Sequence, residues 1–182
     1  MTPDDRCLDP TTELALLARR GDAAAQAAFV RATQAEVWRF TAALVDPAAA
    51  DDLTQDTYLR AFQALPAFEG RSTVRTWLLG IARRTCADHL RAVVRRRRLD
   101  ARLAAQARTD APHSDPAYRL SAQDLLDRLG AERKAAFVLT QVLGLSYAEA
   151  AAVEEVPVGT IRSRVARARD DLIHALTDAR AS

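Results

Sequence analysis

The clearest structural signal in the chain lies in residues Gly144 to Arg169, which read GLSYAEAAAVEEVPVGTIRSRVARAR. Ser146 followed three residues later by Glu149 forms a capping box, which predicts the start of a first helix. A short turn that ends at Pro157 then predicts a second helix. Apolar residues recur on one face of this second helix at Ile161, Val165, Ala168 and Leu172. The stretch therefore predicts a helix-turn-helix whose second helix docks on a small domain.

The opposite face of the second helix has small residues at its centre and arginines on its flanks. The central residues are Gly159, Ser163 and Ala166, and the flanking residues are Arg162 and Arg167. Such a helix fits the major groove of DNA, where guanidinium groups reach guanine edges. Arg164 and Arg169 lie nearer the apolar margin and are expected to contact phosphates. The alternative is a solvated, arginine-rich helix, and the capped helix and turn before it favour DNA binding.

The composition extends the helical prediction to the whole chain. The 182 residues are 49% hydrophobic but only 5% aromatic, and Lys134 is the one lysine among 26 basic residues. Alanine, leucine and arginine favour helix, and no alternating strand pattern competes. The predicted fold class is all-α, in two small helical domains.

Eight helices and one linker are expected. In order, the helices run from the N-cap Thr12 to Gly21, from the N-cap Asp22 to about Leu44, from Pro47 after the N-cap Asp46 to Leu65, from Ser72 to about Arg96, from Tyr118 to Leu129, from Glu132 to Leu143, from Ser146 to Val153 and from Val158 to Leu176. Residues 109–117 contain two prolines and little to bury, which is typical of a flexible linker. The expected organisation is a domain at 1–98, a linker at 99–117 and a domain at 118–182.

The cysteines and histidines are too scattered to indicate a metal or catalytic site. Cys7 and Cys86 each lack a nearby second cysteine, and His89, His113 and His174 belong to no zinc-binding or catalytic motif. No apolar run approaches the roughly 20 residues that span a bilayer, and no signal region begins the chain. We expect a cytoplasmic protein that is not an enzyme, does not bind a membrane and needs no metal or cofactor.

The net charge of +2 conceals a segregation of charge along the chain. The segment from Arg71 to Arg98 holds nine arginines against one acid, Asp88, so its formal charge is +8. One helical face of this segment carries Arg84, Asp88, Arg91, Arg95 and Arg98. Stacked like charges oppose folding unless a polyanion neutralises them, which predicts a nucleic-acid partner. The alternative is a surface that serves only solubility.

The preceding segment is acidic and calls for a different partner. Asp46 to Glu69 carries five acids and one arginine, a formal charge of −4 that would repel DNA. Asp52, Gln55, Asp56 and Leu59 share one helical face. A face that mixes acid, amide and leucine indicates a protein-docking surface, although a solvated face or a metal site would also explain the acids.

Four motifs in this order resemble the extracytoplasmic-function group of bacterial sigma factors, which are promoter-specificity subunits of RNA polymerase. The motifs are DDLTQDTYLRAF at 51–62, FEGRSTVRTWLLGIAR at 68–83, GLSY at 144–147 and PVGTIRSRVARAR at 157–169. The resemblance runs from about Leu14 to Leu176 and is closest to actinobacterial members. It implies a sigma region 2 domain followed by a sigma region 4 domain.

The resemblance also implies a role for each surface. The clamp helices of the polymerase β′ subunit would be bound by Asp52, Gln55, Asp56 and Leu59. The minus-10 element would be captured and melted by Phe68, Glu69, Gly70, Arg71, Ser72, Thr73, Arg75, Trp77, Arg84, Arg91 and Arg95. For Trp77 a core position is the alternative.

The C-terminal domain would read the minus-35 element and meet the β flap of the polymerase. Its expected DNA contacts are Thr160, Arg162, Ser163, Arg164, Arg167 and Arg169. Ala166 departs from family members that have a bulky residue at this position. We expect a monomer when the protein is free, and an inhibitory anti-sigma partner is common in the family.

Two other interpretations explain less of the sequence. A stand-alone helix-turn-helix repressor or activator would leave the acidic face and the Phe68 to Trp77 segment without a purpose. A small helical enzyme would need Asp51, Asp52 and Asp56 to bind a metal, but Asp51 points about 100° away from Asp52 around the helix.

Overall fold

The computed structural model describes residues 9–104 and 121–181, and every regular element within these ranges is helical. Eight α-helices follow one another: α1 (Pro10–Ala18), α2 (Ala23–Leu44), α3 (Pro47–Ala64), α4 (Val74–Ala104), α5 (Ala122–Asp127), α6 (Ala131–Phe137), α7 (Tyr147–Glu154) and α8 (Val158–Ala181). A 3-10 turn at Leu65–Ala67 follows α3, and a π-helical turn at Val138–Val142 continues α6. The predicted all-α fold of two helical domains is confirmed.

The N-terminal helices begin at acidic caps. Asp22 and Asp46 accept backbone N–H groups at the starts of α2 and α3, as the sequence predicts. The predicted cap of α1 is wrong, because Asp9 caps this helix and Pro10 takes its first position. Thr12 is buried in the first turn, where its hydroxyl accepts the Val74 N–H at 3.0 Å. This bond ties α1 to the start of α4.

Helices α1 to α4 enclose a core of aliphatic and aromatic side chains. Phe29, Phe40 and Leu78 are fully buried. The ring of Phe29 packs edge-on against Tyr58, whose hydroxyl lies 2.6 Å from the Thr33 hydroxyl. Burial raises the pKa of Tyr58 to about 12. This core fixes the angle between α3 and α4, which carry the acidic and basic faces.

Helix α4 is longer than predicted. It continues past Arg96 to Ala104, because the arginines, alanines and leucines of this segment are good helix formers and no breaker interrupts them. Residues 99–104, expected to belong to the linker, therefore continue α4. The rest of the expected linker and the expected helix start at Tyr118 lie outside the described residues.

The C-terminal helices form the expected helix-turn-helix. The Ser146–Glu149 capping box starts α7, and Glu155 ends it in a left-handed conformation (φ 55°). Ile161, Val165 and Ala168 on α8 are buried, which confirms the predicted docking face. Helix α7 packs against α4, so the buried residues of both parts of the chain form one continuous cluster.

Candidate nucleic-acid and protein interfaces

The acidic face of α3 points outward. Asp52 and Gln55 are exposed, Leu59 is 57% exposed, and Asp56 is half-buried beside Arg60. Leu53, Thr57, Tyr58 and Ala61 hold the other side of the helix in the core. A protein partner would meet one apolar side chain, that of Leu59, surrounded by polar groups.

A groove between α2 and α3 adjoins this acidic face. Its volume is about 500 Å³, and Trp38, Asp51 and Gln55 are among the residues that line it. The Trp38 indole Nε1 donates to Asp51 Oδ1 at 2.7 Å, although the side chain is 43% exposed. The sequence analysis missed Trp38. The available signal was a large aromatic residue one position after Val37, and therefore on a different face of the helix.

The loop between α3 and α4 is supported by an aromatic pair. Phe68 is buried, and its ring lies 4.9 Å from the ring of the half-buried Trp77. The Phe68 carbonyl accepts from Arg19 Nη1 at 2.7 Å. Four residues of the loop are exposed to solvent: Glu69, Arg71, Ser72 and Thr73. Gly70 sits among them with φ 70°, a conformation that glycine adopts without strain.

The basic face of α4 is exposed along the outer half of the helix. Arg91, Arg95 and Arg98 point to solvent. Asp88 accepts from Arg91 and from Arg60 of α3 at 2.5 and 2.8 Å. The Arg60 hydrogen bond is the main reason that the pKa of Asp88 is lowered. Sequence analysis missed Arg60, because its partner lies on the next helix.

The inner half of α4 holds three arginines that contact the C-terminal domain. Arg75 binds Glu36 through both carboxylate oxygens and also donates to the Leu143 carbonyl at 2.6 Å. Arg83 pairs with Glu154 and Arg84 with Glu155, each at 2.5 Å. Two of the expected minus-10 residues, Arg75 and Arg84, thus lie where the two domains meet.

The outer face of α8 has small residues at its centre and arginines on its flanks, as expected. Arg162, Ser163, Ala166 and Arg167 are exposed, and Thr160 is half-buried. A cleft of about 510 Å³ separates this face from the start of α6. Arg169 donates to the Gln141 side chain at 2.8 Å and remains exposed.

Arg164 differs from the other arginines of α8 because two carboxylates hold it. Its side chain is only 16% exposed and pairs with Glu132 at 2.5 Å and with Glu154 at 3.2 Å. The Glu154 side chain is 2% exposed and also binds Arg83, so one carboxylate connects α4, α7 and α8. This geometry suits an arginine that positions α8 better than one that contacts a phosphate.

The described residues offer little else for chemistry. Within residues 9–104 and 121–181, no three His, Cys, Asp or Glu side chains are placed to hold a metal ion. Burial raises the pKa of the Cys86 thiol to about 12, which makes it unreactive. Cys7 and His113 lie outside the described residues. None of the helices described has the length and hydropathy to cross a membrane.

Two family patterns match the chain in succession. Sigma-70 region 2 matches residues 29–98, which include α3, the loop and the basic part of α4. Sigma-70 region 4 matches residues 119–172, which include the helix-turn-helix.

Known proteins of similar length agree with these matches. The ECF RNA polymerase sigma factor SigC of Mycobacterium tuberculosis is 48% identical over 167 residues, which cover 91% of this chain and 90% of that protein. The structure of CnrH in complex with the cytosolic domain of CnrY matches with a TM-score of 0.68 and 28% identity, over 93% of this chain and 97% of CnrH. The sigma factor RpoE of Bartonella quintana, solved with the anti-sigma factor NepR, matches with a TM-score of 0.62 and 29% identity, over 81% and 94% of the two chains.

The matches confirm that the resemblance in the four motifs reflects kinship, and they agree with the separation of the chain into two helical domains. Proteins of this kind work with core RNA polymerase and are not enzymes in their own right. The chain therefore belongs to the extracytoplasmic-function family of sigma-70-type RNA polymerase sigma factors, which direct transcription initiation.

Proposed function

We propose that three separate faces of this sigma factor divide the work of initiation. Asp52, Gln55, Asp56 and Leu59 on α3 bind the β′ clamp helices, the loop and α4 bind the minus-10 element, and α8 reads the minus-35 element. The supporting observation is that the acidic residues of α3 and the basic residues of α4 and α8 lie on different exposed faces of the helical fold.

The polymerase contact uses an apolar centre with an acidic rim. Leu59 is the most exposed large apolar residue of α3 and provides the apolar part of the contact. Asp52 and Gln55 lie on the same face and favour a basic helical partner. The C-terminal domain meets the β flap in the same assembly.

The minus-10 contact uses the exposed loop for a base and α4 for the backbone. Glu69, Gly70, Arg71, Ser72 and Thr73 surround a flipped base, whose unstacking costs a few kcal/mol that these contacts must return. Phe68 and Trp77 support the loop from below. Arg91 and Arg95 bind phosphates of the same strand.

Two of the minus-10 residues need a change in domain arrangement before they bind DNA. Arg75 and Arg84 are held by Leu143 and Glu155 of the C-terminal domain. Arg84 becomes available when α7 moves away from α4, whereas Arg75 must also release Glu36 of α2. The exposed pair Arg84–Glu155 contributes little to stability and is easily exchanged for a phosphate.

The minus-35 contact uses the exposed face of α8. Arg162, Ser163 and Arg167 reach base edges, and Thr160 and Arg169 bind phosphates. Arg164 keeps α8 at a fixed angle to α6 and α7 through its two carboxylate partners.

The free protein acts in the cytoplasm as a monomer, and an inhibitory protein partner controls it. The support for such a partner is that CnrH was solved with the cytosolic domain of CnrY and RpoE with the anti-sigma factor NepR. Such a partner would cover the same faces that bind polymerase or promoter.

Run-off transcription and promoter footprinting with reconstituted polymerase test these roles. Transcripts should require both this chain and core polymerase. Tight, specific duplex binding by the chain alone would instead favour a stand-alone repressor.

Replacing Asp52 and Asp56 together by Asn should weaken core-polymerase binding at least about tenfold, because both carboxylates face the partner. Glu13→Asn on α1 is the matched control, since it removes an exposed acid from another surface. Unchanged polymerase affinity in the double variant would remove the acidic face from the interface.

A further inference from the structure

We propose that α1 positions the loop that captures the minus-10 base, because Thr12 and Arg19 hold the two ends of the exposed segment 69–73. The inference rests on the proposed function, since it concerns the same flipped base. Helix α1 precedes residues 29–98, the range that sigma-70 region 2 matches, so that match gives α1 no role. Both side chains act through the loop backbone and not by touching DNA.

Thr12 holds the end of the loop that joins α4. Val74 is the first residue of α4, and its N–H is one of the four that a helix leaves without a partner in its own backbone. The Thr12 hydroxyl accepts this N–H at 3.0 Å, and both residues are buried. A buried N–H that loses its acceptor is costly, so this bond fixes the point at which the loop ends and α4 begins.

The carboxylate of Asp9 orients the Thr12 hydroxyl. Asp9 Oδ2 accepts the Thr12 O–H, and Asp9 Oδ1 accepts the backbone N–H groups of Thr11 and Thr12, each at 3.1 Å. Because the hydroxyl hydrogen is committed to Asp9, the oxygen of Thr12 presents its lone pairs to Val74. The N-cap of α1 is thus connected through one hydroxyl to the start of α4.

Arg19 holds the end of the loop that follows α3. Its Nη1 donates to the Phe68 carbonyl at 2.7 Å, and the Phe68 N–H donates to the Leu65 carbonyl at 3.0 Å. The Phe68 ring is buried against Trp77. A hydrogen bond from a charged guanidinium is stronger than one between neutral groups. The ring and both backbone polar groups of Phe68 are therefore fixed where the exposed segment begins.

One helix brings both side chains to the loop. Arg19 is the C-cap of α1 and follows Thr12 by seven positions with helical φ and ψ angles, which places both on one side of the helix, about 10 Å apart along its axis. Ala15 and Ala18 are buried in the core, and Gln26 of α2 donates to the Ala18 carbonyl at 3.3 Å. Helix α1 is therefore held by the core, and it sets the spacing of the two loop ends.

A loop whose ends are fixed is better prepared for a flipped base. Between the two anchors, Glu69, Arg71, Ser72 and Thr73 are exposed. Ordering such a segment costs conformational entropy, so a loop that is ordered in advance leaves more of the contact energy for the base. A wrong base also meets donors and acceptors that cannot move to suit it. Releasing either anchor should therefore lower base discrimination.

Binding of the reconstituted holoenzyme to pre-melted promoter fragments tests this role. One fragment has the preferred minus-10 strand, and each of the others has one substituted minus-10 base. Thr12→Val should lower the ratio of the preferred to the substituted affinity about fivefold, because the buried Val74 N–H loses its acceptor and the loop end is released. Thr12→Ser keeps the hydroxyl and should keep the wild-type ratio.

Thr85→Val is the matched control for the loss of a buried hydroxyl. Thr85 is 1% exposed, as Thr12 is, but its hydroxyl donates to the Ile81 carbonyl within α4 at 3.0 Å. The substitution therefore removes a buried hydrogen bond without releasing the loop. Thr85→Val should keep the wild-type ratio of affinities whatever it does to the free energy of unfolding, so a general loss of stability is separated from a loss of positioning.

Arg19→Gln tests the other anchor with an exposed side chain, so it remains informative if Thr12→Val does not fold. It should lower the same ratio about threefold, because the Phe68 carbonyl loses a charge-assisted bond. The neighbouring Arg20→Gln is the control, since it removes the same charge from an exposed position and should keep the wild-type ratio.

The role of α1 is overturned by a wild-type ratio in Thr12→Val or Arg19→Gln, by an equal loss in Thr85→Val or Arg20→Gln, or by a loss that Thr12→Ser does not prevent. A wild-type holoenzyme that does not distinguish minus-10 bases would overturn the proposed loop function as well. A wild-type holoenzyme that distinguishes them, with variants that match it, would overturn only the positioning by α1.

Discussion

Helices α4 and α8 both present arginines to solvent, but they hold them differently. On α4, Arg91, Arg95 and Arg98 follow one another on an exposed face whose one acid is Asp88. On α8, Arg164 is fixed by Glu132 and Glu154 from two other helices. The first arrangement concentrates positive charge, and the second fixes the position of a helix.

This difference matches the two ways of binding DNA that we propose for these helices. Phosphates are the same at every base pair, so a row of exposed guanidinium groups gives affinity without sequence preference. Base edges differ, so a helix that reads them must be held at a defined depth and angle. On the proposed roles, salt-dependent affinity is expected from α4 and sequence preference from α8.

The largest effect is expected where the two helices are connected. Glu154→Gln should lower the free energy of unfolding by about 3 kcal/mol, because Arg83 and Arg164 lose the buried carboxylate that they share. Urea denaturation of the full chain measures the loss. The neighbouring Glu155→Gln is the control and should change stability by less than about 1 kcal/mol, since Glu155 and Arg84 are both exposed. Equal losses would mean that burial of Glu154 has no energetic consequence.

Much of the structure follows from local sequence signals. The Ser146–Glu149 capping box, the Asp46–Pro47 helix start and the apolar face of α8 are all where the sequence predicts them. These features depend on residues within a few positions of one another, so periodicity and capping rules are sufficient to find them.

The missed features depend on contacts between distant segments. Arg60 meets Asp88 across 28 positions, and Arg83 meets Glu154 across 71. Helical spacing describes only one helix at a time, so it indicated arginines on the surface of α8 without showing that Arg164 is held by carboxylates of α6 and α7. The start of α1 is an exception, because its signal is local: Asp9 and Pro10 repeat the cap-and-proline pattern of Asp46 and Pro47.

The next largest effect, after that of Glu154, is expected on α8 and tests whether this helix carries the sequence preference. Arg167→Ala should cost about 1–3 kcal/mol of binding free energy on the preferred upstream element and much less on a scrambled one. Holoenzyme binding to the two DNA fragments, at one salt concentration, measures the difference. If both fragments lose affinity equally, Arg167 contacts the backbone and α8 has one base-reading residue fewer.

The smallest effect tests the opposite assignment for α4. Arg95→Gln should weaken holoenzyme binding about fivefold, or about 1 kcal/mol, and lower the slope of log affinity against log salt by 0.7 to about 0.9, because one phosphate contact is lost. The loss should be the same on promoters that differ in their minus-10 bases, since an exposed guanidinium on a phosphate does not distinguish them. An Arg95→Gln defect that depends on the minus-10 sequence would place a base-reading residue on α4. It would contradict the proposal that α4 contacts phosphates and α8 contacts bases.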